Sequence, residues 1–305
     1  MSKSYGKLIT GSTSTYPFLS ITTASGFWSV KDEFQARGTD SWPTRTIPIV
    51  YYLVVGGGGG GGGSTSGAGT GQGGGGGAGG LITGSFAPAY KQPLTSYGYT
   101  LTISIGAGGV GRIAGQLAAN GGNSSVTGQY LNLIGYGGGG GGGNSVQGAA
   151  GASGGGGGGG YPGFSSAAGG GAATQPTSIY GGLGNPGAAG DYAGGGGGGS
   201  GGLGSHGATA GTTYGGAGTY ISVASGSSYS DTFAKGGGIL DYTGYGTGGY
   251  PGQPSGVNGK DGVVILWYPY EYSHLPFNIT GAYTTIVQNG YRIYRFTGSS
   301  SITLS

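Results

Sequence analysis

The apolar positions of this chain come in short bursts that end against glycine. Ile49-Val50-Tyr51-Tyr52-Leu53-Val54-Val55 is an unbroken β-branched and aromatic run, and eight glycines, Gly56 to Gly63, follow it without transition. Such a run, bounded by glycine and too short for a helix, reads as a strand buried on both faces. The closing segment mirrors the opening: Gly262-Val263-Val264-Ile265-Leu266-Trp267-Tyr268 leaves glycine and turns apolar. Between them, Tyr97 to Ile105 alternates as a half-buried strand does, and Tyr130 to Ile134 does so more weakly. Tyr283 to Gln288 and Tyr291 to Phe296 flank Asn289-Gly290, the dipeptide of a two-residue hairpin, and Ser301 to Leu304 is a candidate third strand. One segment carries helix signals. Over residues 27–37, Ser29 is placed as N-cap, Asp32 stands three residues on and Gly38 is a stop, with Val30 and Phe34 facing one neighbour together with Trp28.

The glycine runs recur at Gly73 to Gly77, Gly137 to Gly143, Gly154 to Gly160 and Gly194 to Gly199. A glycine tract is by default a flexible linker, and ordering it costs roughly 1–2 kcal/mol of backbone entropy per residue. With no side chains to offset that cost, only paired backbone N–H and C=O groups can. An extended polyglycine II helix has three residues per turn, a rise of about 3.1 Å and no internal hydrogen bonds, so all its polar groups point to neighbours. Eight residues span about 25 Å in this form. The spacing agrees, since glycines fall every third residue from Gly148 to Gly163 and again from Gly181 to Gly190. Collagen would need that period sustained and far more than 12 prolines. The insertions between runs (85–93, 161–166, 175–180, 214–233, 239–254) mix Tyr, Ser, Thr, Gly and Pro, which is loop chemistry. The expected fold is therefore mostly irregular plus β: a bundle, or sandwich, of polyglycine II helices framed by β-strands, with one short N-terminal helix and a small C-terminal β-hairpin. It divides into an N-terminal segment 1–48, a glycine-rich body 49–272 and a β appendix 273–305.

Composition narrows the chemistry. Charged residues make up 6% of the chain and the net charge is +3, so no basic patch can form and nucleic acid is excluded as a partner on electrostatic grounds. Cysteine is absent, which removes disulfides and thiolate metal sites. The opening Met-Ser-Lys-Ser-Tyr-Gly-Lys lacks a signal-peptide core, and no apolar run reaches the length of a membrane span. The expectation is synthesis in a cytoplasm, no membrane insertion, no cofactor and no metal.

Motifs that resemble enzymatic ones dissolve on inspection. Gly106-Ala107-Gly108-Gly109-Val110-Gly111 follows a strand as a dinucleotide-binding loop would, but no acidic residue stands about 20 positions on to hold a ribose. Gly151 to Gly155 and Gly198 to Gly202 match a G-x-S-x-G elbow without the preceding apolar strand. His206 and His274 are the only histidines available as bases. Asn123-Ser124-Ser125 and Asn278-Ile279-Thr280 are sequons without a secretory route. No enzymatic activity is expected. What does stand out is tyrosine, whose 24 residues outnumber the 11 basic and 8 acidic ones together. Tyr with Ser, Gly and Asn is the alphabet of recognition loops, because Tyr supplies a large amphipathic contact at low entropic cost.

The strand-to-polyglycine passages at Tyr52 to Val55, Tyr99 to Gly109 and Gly262 to Tyr268, with the ending Gly290 to Gly298 followed by Ser301-Ile302-Thr303, resemble the glycine-rich module of bacteriophage structural proteins. Residues 27–43 resemble a short N-terminal element of virion proteins. By architecture the alternation of glycine run and Tyr-rich insertion is similar to the tail-fibre tip adhesins of T-even-type phages, where loops between polyglycine II helices bind a bacterial receptor. That resemblance implies a non-enzymatic virion protein, a tail-fibre or tail-tip adhesin. Its partners would be other tail proteins and a cell-surface protein or glycan, with a homo-oligomer left open. The receptor-binding candidates are Tyr90, Lys91, Tyr161, Tyr180, Tyr214, Tyr229, Tyr242, Tyr245 and Tyr250; the attachment candidates are Trp28, Phe34 and Trp42. The rival is a structural spacer or decoration subunit. Ice binding would want regular Thr rows, and a cell-wall protein a signal peptide.

Overall fold

The computed structural model describes residues 18–19, 24–25, 49–64, 72–86, 99–128, 131–160, 168–175, 182–207, 214–238, 243–270 and 277–304. The chain divides into two compact units, 1–48 and 49–305. In the first, β1 (Phe18–Leu19) pairs antiparallel with β2 (Ala24–Ser25).

The second unit is built on an antiparallel sheet. Its strands are β3 (Val50–Val55), β4 (Leu81–Phe86), β5 (Tyr99–Ser104), β6 (Ser124–Gly128), β7 (Leu131–Gly135), β8 (Gly182–Leu183), β11 (Val263–Pro269), β12 (Phe277–Gln288) and β13 (Tyr291–Leu304). A separate hairpin pairs β9 (Thr219–Ile221) with β10 (Asp231–Phe233). The large sheet is 9-stranded in the order β7-β6-β5-β13-β11-β3-β4-β8, with β12 on β13. β13 makes it curl. The Tyr291 to Phe296 half pairs with β11 and the Ser300 to Leu304 half with β5, while β12 lines its other edge throughout. The two half-sheets diverge and fold toward each other into a nearly closed barrel, and Gly135 at the end of β7 comes up against Gly80 and Val54. Inside lie Tyr52, Val54, Ile82, Ile103, Val126, Leu133, Val264, Tyr294 and Phe296. Outside, Leu53, Val55, Leu81, Ile265, Trp267 and Ile293 pack against Val223, Ala224, Phe233 and Ala234. β3 and β11 are thus apolar on both faces, which is why their sequences do not alternate.

This corrects the expectation of a mostly irregular body with strands as a frame and a small C-terminal hairpin. The sheet carries the apolar core, and the hairpin strands run for 12 and 14 residues with β13 in the middle of the sheet. Among the described residues there is no helix, and the helix expected over 27–37 lies outside them. Ser301 to Leu304 is the second half of β13, not a third strand.

Six of the sheet's strands are continuous with a glycine-rich segment. β3 runs on into 56–63, β5 into 105–113 and β7 into 136–143, while 72–80 enters β4, 118–123 enters β6 and 256–262 enters β11. The 56–63 segment shows how these pack. Its N–H groups turn in steps of three among antiparallel neighbours: Gly56, Gly59 and Gly62 donate to Gly80, Gly77 and Gly74, Gly57 and Gly60 to Gly122 and Ala119, Gly58 and Gly61 to Lys260 and Val257, at 2.8–3.0 Å. Its carbonyls turn the same way among parallel neighbours: Gly57 and Gly60 accept from Gly138 and Gly141, Gly58 and Gly61 from Gly109 and Arg112, Gly59 and Gly62 from Gly249 and Gly252. The segment is surrounded on all sides, and its polar groups are used for lateral bonds.

The uninterrupted glycine runs are the interior of this lattice. Residues 56–63, 73–80, 137–143, 154–160 and 194–199 are buried throughout. A Cβ built on almost any of these glycines would meet a neighbouring carbonyl at under 3.0 Å. None has a left-handed φ, so glycine is required there for space and not for conformation. Segments at the rim need glycine only where they face inward. In 106–113, Gly106 and Gly109 are buried, while Ala107, Val110 and Ile113 point out, the last two about half exposed.

At the barrel end away from the lattice, Tyr268 is buried with its hydroxyl 3.4 Å from that of Tyr294. Burial above all, then the bond to Tyr294, pushes the Tyr268 phenol well above its ordinary value of 10.0. The folded chain therefore holds this proton more tightly than the unfolded chain. The contribution is whole below about pH 10 and is lost as the pH climbs past it, where the unfolded chain ionises first. Melting temperatures measured from pH 9 to 12 should fall, and fall less steeply in Tyr268→Phe. Identical slopes would show that Tyr268 is not a source of the alkaline loss.

Candidate functional site

The β9–β10 hairpin brings together residues that the sequence leaves in separate loops. Its inner face, Phe233 with Ile221 and Val223, packs on the outside of the barrel. Register places Tyr220 opposite Thr232 on the other face, and Tyr220 is 62% exposed. The glycine segment 214–218 leads into β9 and 234–238 leaves β10. Between them lies a depression of about 360 Å³. Its floor is the backbone of Gly215, Gly216, Gly218 and Gly236, and its rim carries Tyr214, Thr232 and Lys235. Tyr214 is 44% exposed, and Lys235 is half-buried with its ammonium donating to the Thr243 hydroxyl at 3.1 Å. Tyr214 and Lys235 at the depression, Tyr220 exposed on the adjoining hairpin face and a lining otherwise of glycine, Ala217 and Thr232 form a contact surface. No general base stands opposite a nucleophile there. Among the described residues no group of three His, Cys, Asp or Glu is placed to hold a metal, and no helix is long and apolar enough to cross a membrane.

Of the receptor candidates, Tyr214 lines this depression. Tyr229 and Tyr245 are brought together elsewhere: the Arg295 guanidinium of β13 lies 4.5 Å from the Tyr229 ring centre and 5.9 Å from that of Tyr245. The Tyr229 hydroxyl also donates to the Thr284 hydroxyl on β12 at 2.9 Å. Both rings are half-buried against the outer core. Tyr229 ties the hairpin, and Tyr245 the segment after it, to the sheet through cation–π contacts with Arg295, an internal use. Tyr250 is half-buried on the glycine segment 246–252, where its carbonyl accepts from Val257. Tyr90, Lys91, Tyr161, Tyr180 and Tyr242, and the attachment candidates Trp28, Phe34 and Trp42, lie outside the described residues. Tyr220, Thr232 and Lys235 were not singled out by the sequence reading. The signal was there in the alternation Thr219-Tyr220-Ile221-Ser222-Val223, hidden inside a stretch rich in serine and glycine.

The enzyme-like motifs have structural uses. In the 106–111 loop the amide of Gly108 donates to the Asp261 carboxylate at 2.8 Å and that of Gly111 to Asn258 Oδ1 at 2.9 Å, so a carboxylate already occupies the place of a phosphate. Ser153 is buried beside Asn185, and Ser200 bonds to Thr219 and to the Phe233 carbonyl. Neither serine has a histidine partner among these bonds.

Among the described residues, an apolar β-barrel is joined to a lattice of buried glycine backbone. Residues 36–269 match the family model of a glycine-rich domain, and the chain belongs to that family. No curated protein matches it.

Proposed function

We propose that this chain is a non-enzymatic bacteriophage virion protein, a tail-fibre or tail-tip adhesin that contacts a bacterial surface receptor, protein or glycan. It works beside other tail proteins and is made in the host cytoplasm. What carries the reading is this tyrosine-bearing surface: Tyr214 at the depression and Tyr220 on the hairpin beside it stand 44% and 62% exposed, on a support rich in glycine backbone. A rigid aromatic on a rigid backbone loses little entropy on binding. The resemblance of the strand-to-glycine passages to phage modules supplies the setting.

A structural spacer is the second reading, favoured by Tyr229 and Tyr245 being spent on the Arg295 contact. The two separate on one variant. Phage carrying Tyr214→Ala, Tyr220→Ala and Lys235→Met together should assemble normally, and the purified protein should melt near wild type. Adsorption to host cells should drop about tenfold or more, the effect of losing 1.4 kcal/mol of binding. Normal adsorption, or failure to assemble, would favour the spacer.

A further inference from the structure

We propose that two copies of this chain pair through the outer edge of β12 to form a two-fold dimer, a property beyond the adhesin reading and independent of it. Among the described residues β12 pairs with β13 alone, and it is the long edge strand of the sheet. Natural edge strands are short, charged, broken by proline or covered, because their free N–H and C=O groups are templates for another strand. β12 reads Phe-Asn-Ile-Thr-Gly-Ala-Tyr-Thr-Thr-Ile-Val-Gln, with no charge and no proline. Its one device is a break in register between Gly281 and Tyr283, with Gly281 at φ 102, which limits any pairing to Tyr283 through Gln288.

Over that span the backbone groups can be assigned. The turn Asn289-Gly290, with φ of 52 and 78, closes a two-residue hairpin, so Gln288 and Tyr291 form a hydrogen-bonded pair. Alternation then turns Ile286 and Thr284 toward β13 and leaves the N–H and C=O of Tyr283, Thr285 and Val287 on the outer edge. Tyr283 is 39% and Val287 52% exposed, and Thr285 is exposed too. A second copy fits this edge in one register. With Thr285 opposite Thr285 on the axis, Tyr283 lies opposite Val287 and Val287 opposite Tyr283, and every outward N–H and C=O is used. The cross-strand pairs are then aromatic with β-branched and Thr with Thr, both favourable, and no like charges meet. The contact is isologous, so both edges are consumed and growth stops at two.

The test uses the whole chain, which contains no cysteine. Sedimentation of the wild type over a concentration series should show a reversible monomer–dimer equilibrium. Thr285→Pro removes an N–H from the outer edge only and is tolerated on an edge strand, so it should weaken dimerisation tenfold or more and leave the monomer's melting unchanged. Thr285→Cys sits opposite itself at about 5.5 Å between Cα atoms, within disulfide range, and mild oxidation should give a covalent dimer. Thr297→Cys, exposed on the same sheet but off this edge, should stay monomeric. A wild type that is monomeric throughout, with Thr285→Cys crosslinking no faster than Thr297→Cys, would overturn the proposal. Dimerisation that survives Thr285→Pro would equally overturn it, by placing the interface elsewhere.

Discussion

Replacing Gly59 by alanine is expected to cost this protein a substantial part of its stability, whereas the same change at Gly169 should leave it unharmed. Gly59 is at the centre of the lattice: its N–H goes to Gly77, its carbonyl receives Gly249, and a Cβ would fall on the Gly139 peptide and near the Gly138 carbonyl. All the obstructing atoms are backbone, which cannot rotate away as a side chain can. Overpacking in a tight interior costs typically 1–3 kcal/mol, and here the upper end or beyond is expected, against a total of about 5–15 kcal/mol for a domain. At Gly169 the nearest atoms to a new Cβ belong to the Gln147 side chain, at 3.6 Å and beyond, and φ is not left-handed. There alanine reduces the freedom of the unfolded chain and should be neutral or stabilising by about 0.4–1 kcal/mol. Denaturant melts of the two variants decide it. If both shift by the same small amount, the glycine interior is looser than its hydrogen bonds describe.

The second large effect belongs to Phe296→Ala. Phe296 is fully buried inside the barrel, between the rings of Tyr283 at 5.9 Å and Tyr294 at 6.4 Å, on the strand that joins β11, β12 and β5. Truncation leaves a cavity where two half-sheets meet, and Phe→Ala in such positions costs about 3–5 kcal/mol. Thr297→Ala, one residue on and exposed, should change stability by under about 0.5 kcal/mol. The comparison matters because a C-terminal appendix would tolerate either change. If Phe296→Ala leaves the main melting transition in place and loses only a minor one, the C-terminal strands fold apart from the rest.

Local signals and long-range ones were unequally legible. β3, β5, β7, β11 and the Asn289-Gly290 turn could be read from β-branched runs, alternation and turn chemistry, all of which act within a few residues. β4 and β6 could not: Leu-Ile-Thr-Gly-Ser-Phe and Ser-Ser-Val-Thr-Gly are strands because the glycine segments feeding them are already held beside their partners. That pairing is between residues tens of positions apart, with no side-chain code to announce it. The same distance hid the roles of Tyr229 and Tyr245, which look like free loop tyrosines until Arg295 closes on them. It also hid the depression, since Tyr214, Thr232 and Lys235 converge only after β9 and β10 pair.

The glycine interior also bears on how this protein responds to temperature. Unfolding a typical domain raises the heat capacity because it wets hydrocarbon, at about +0.45 cal/K/mol per Å², whereas wetting polar surface lowers it by about 0.26. Segments 56–63, 73–80, 137–143, 154–160 and 194–199 bury peptide groups and almost no hydrocarbon. Their melting therefore contributes little to the heat capacity, or subtracts from it. The curve of free energy against temperature is flattened, and the weakening that apolar cores suffer on cooling is largely confined to the barrel.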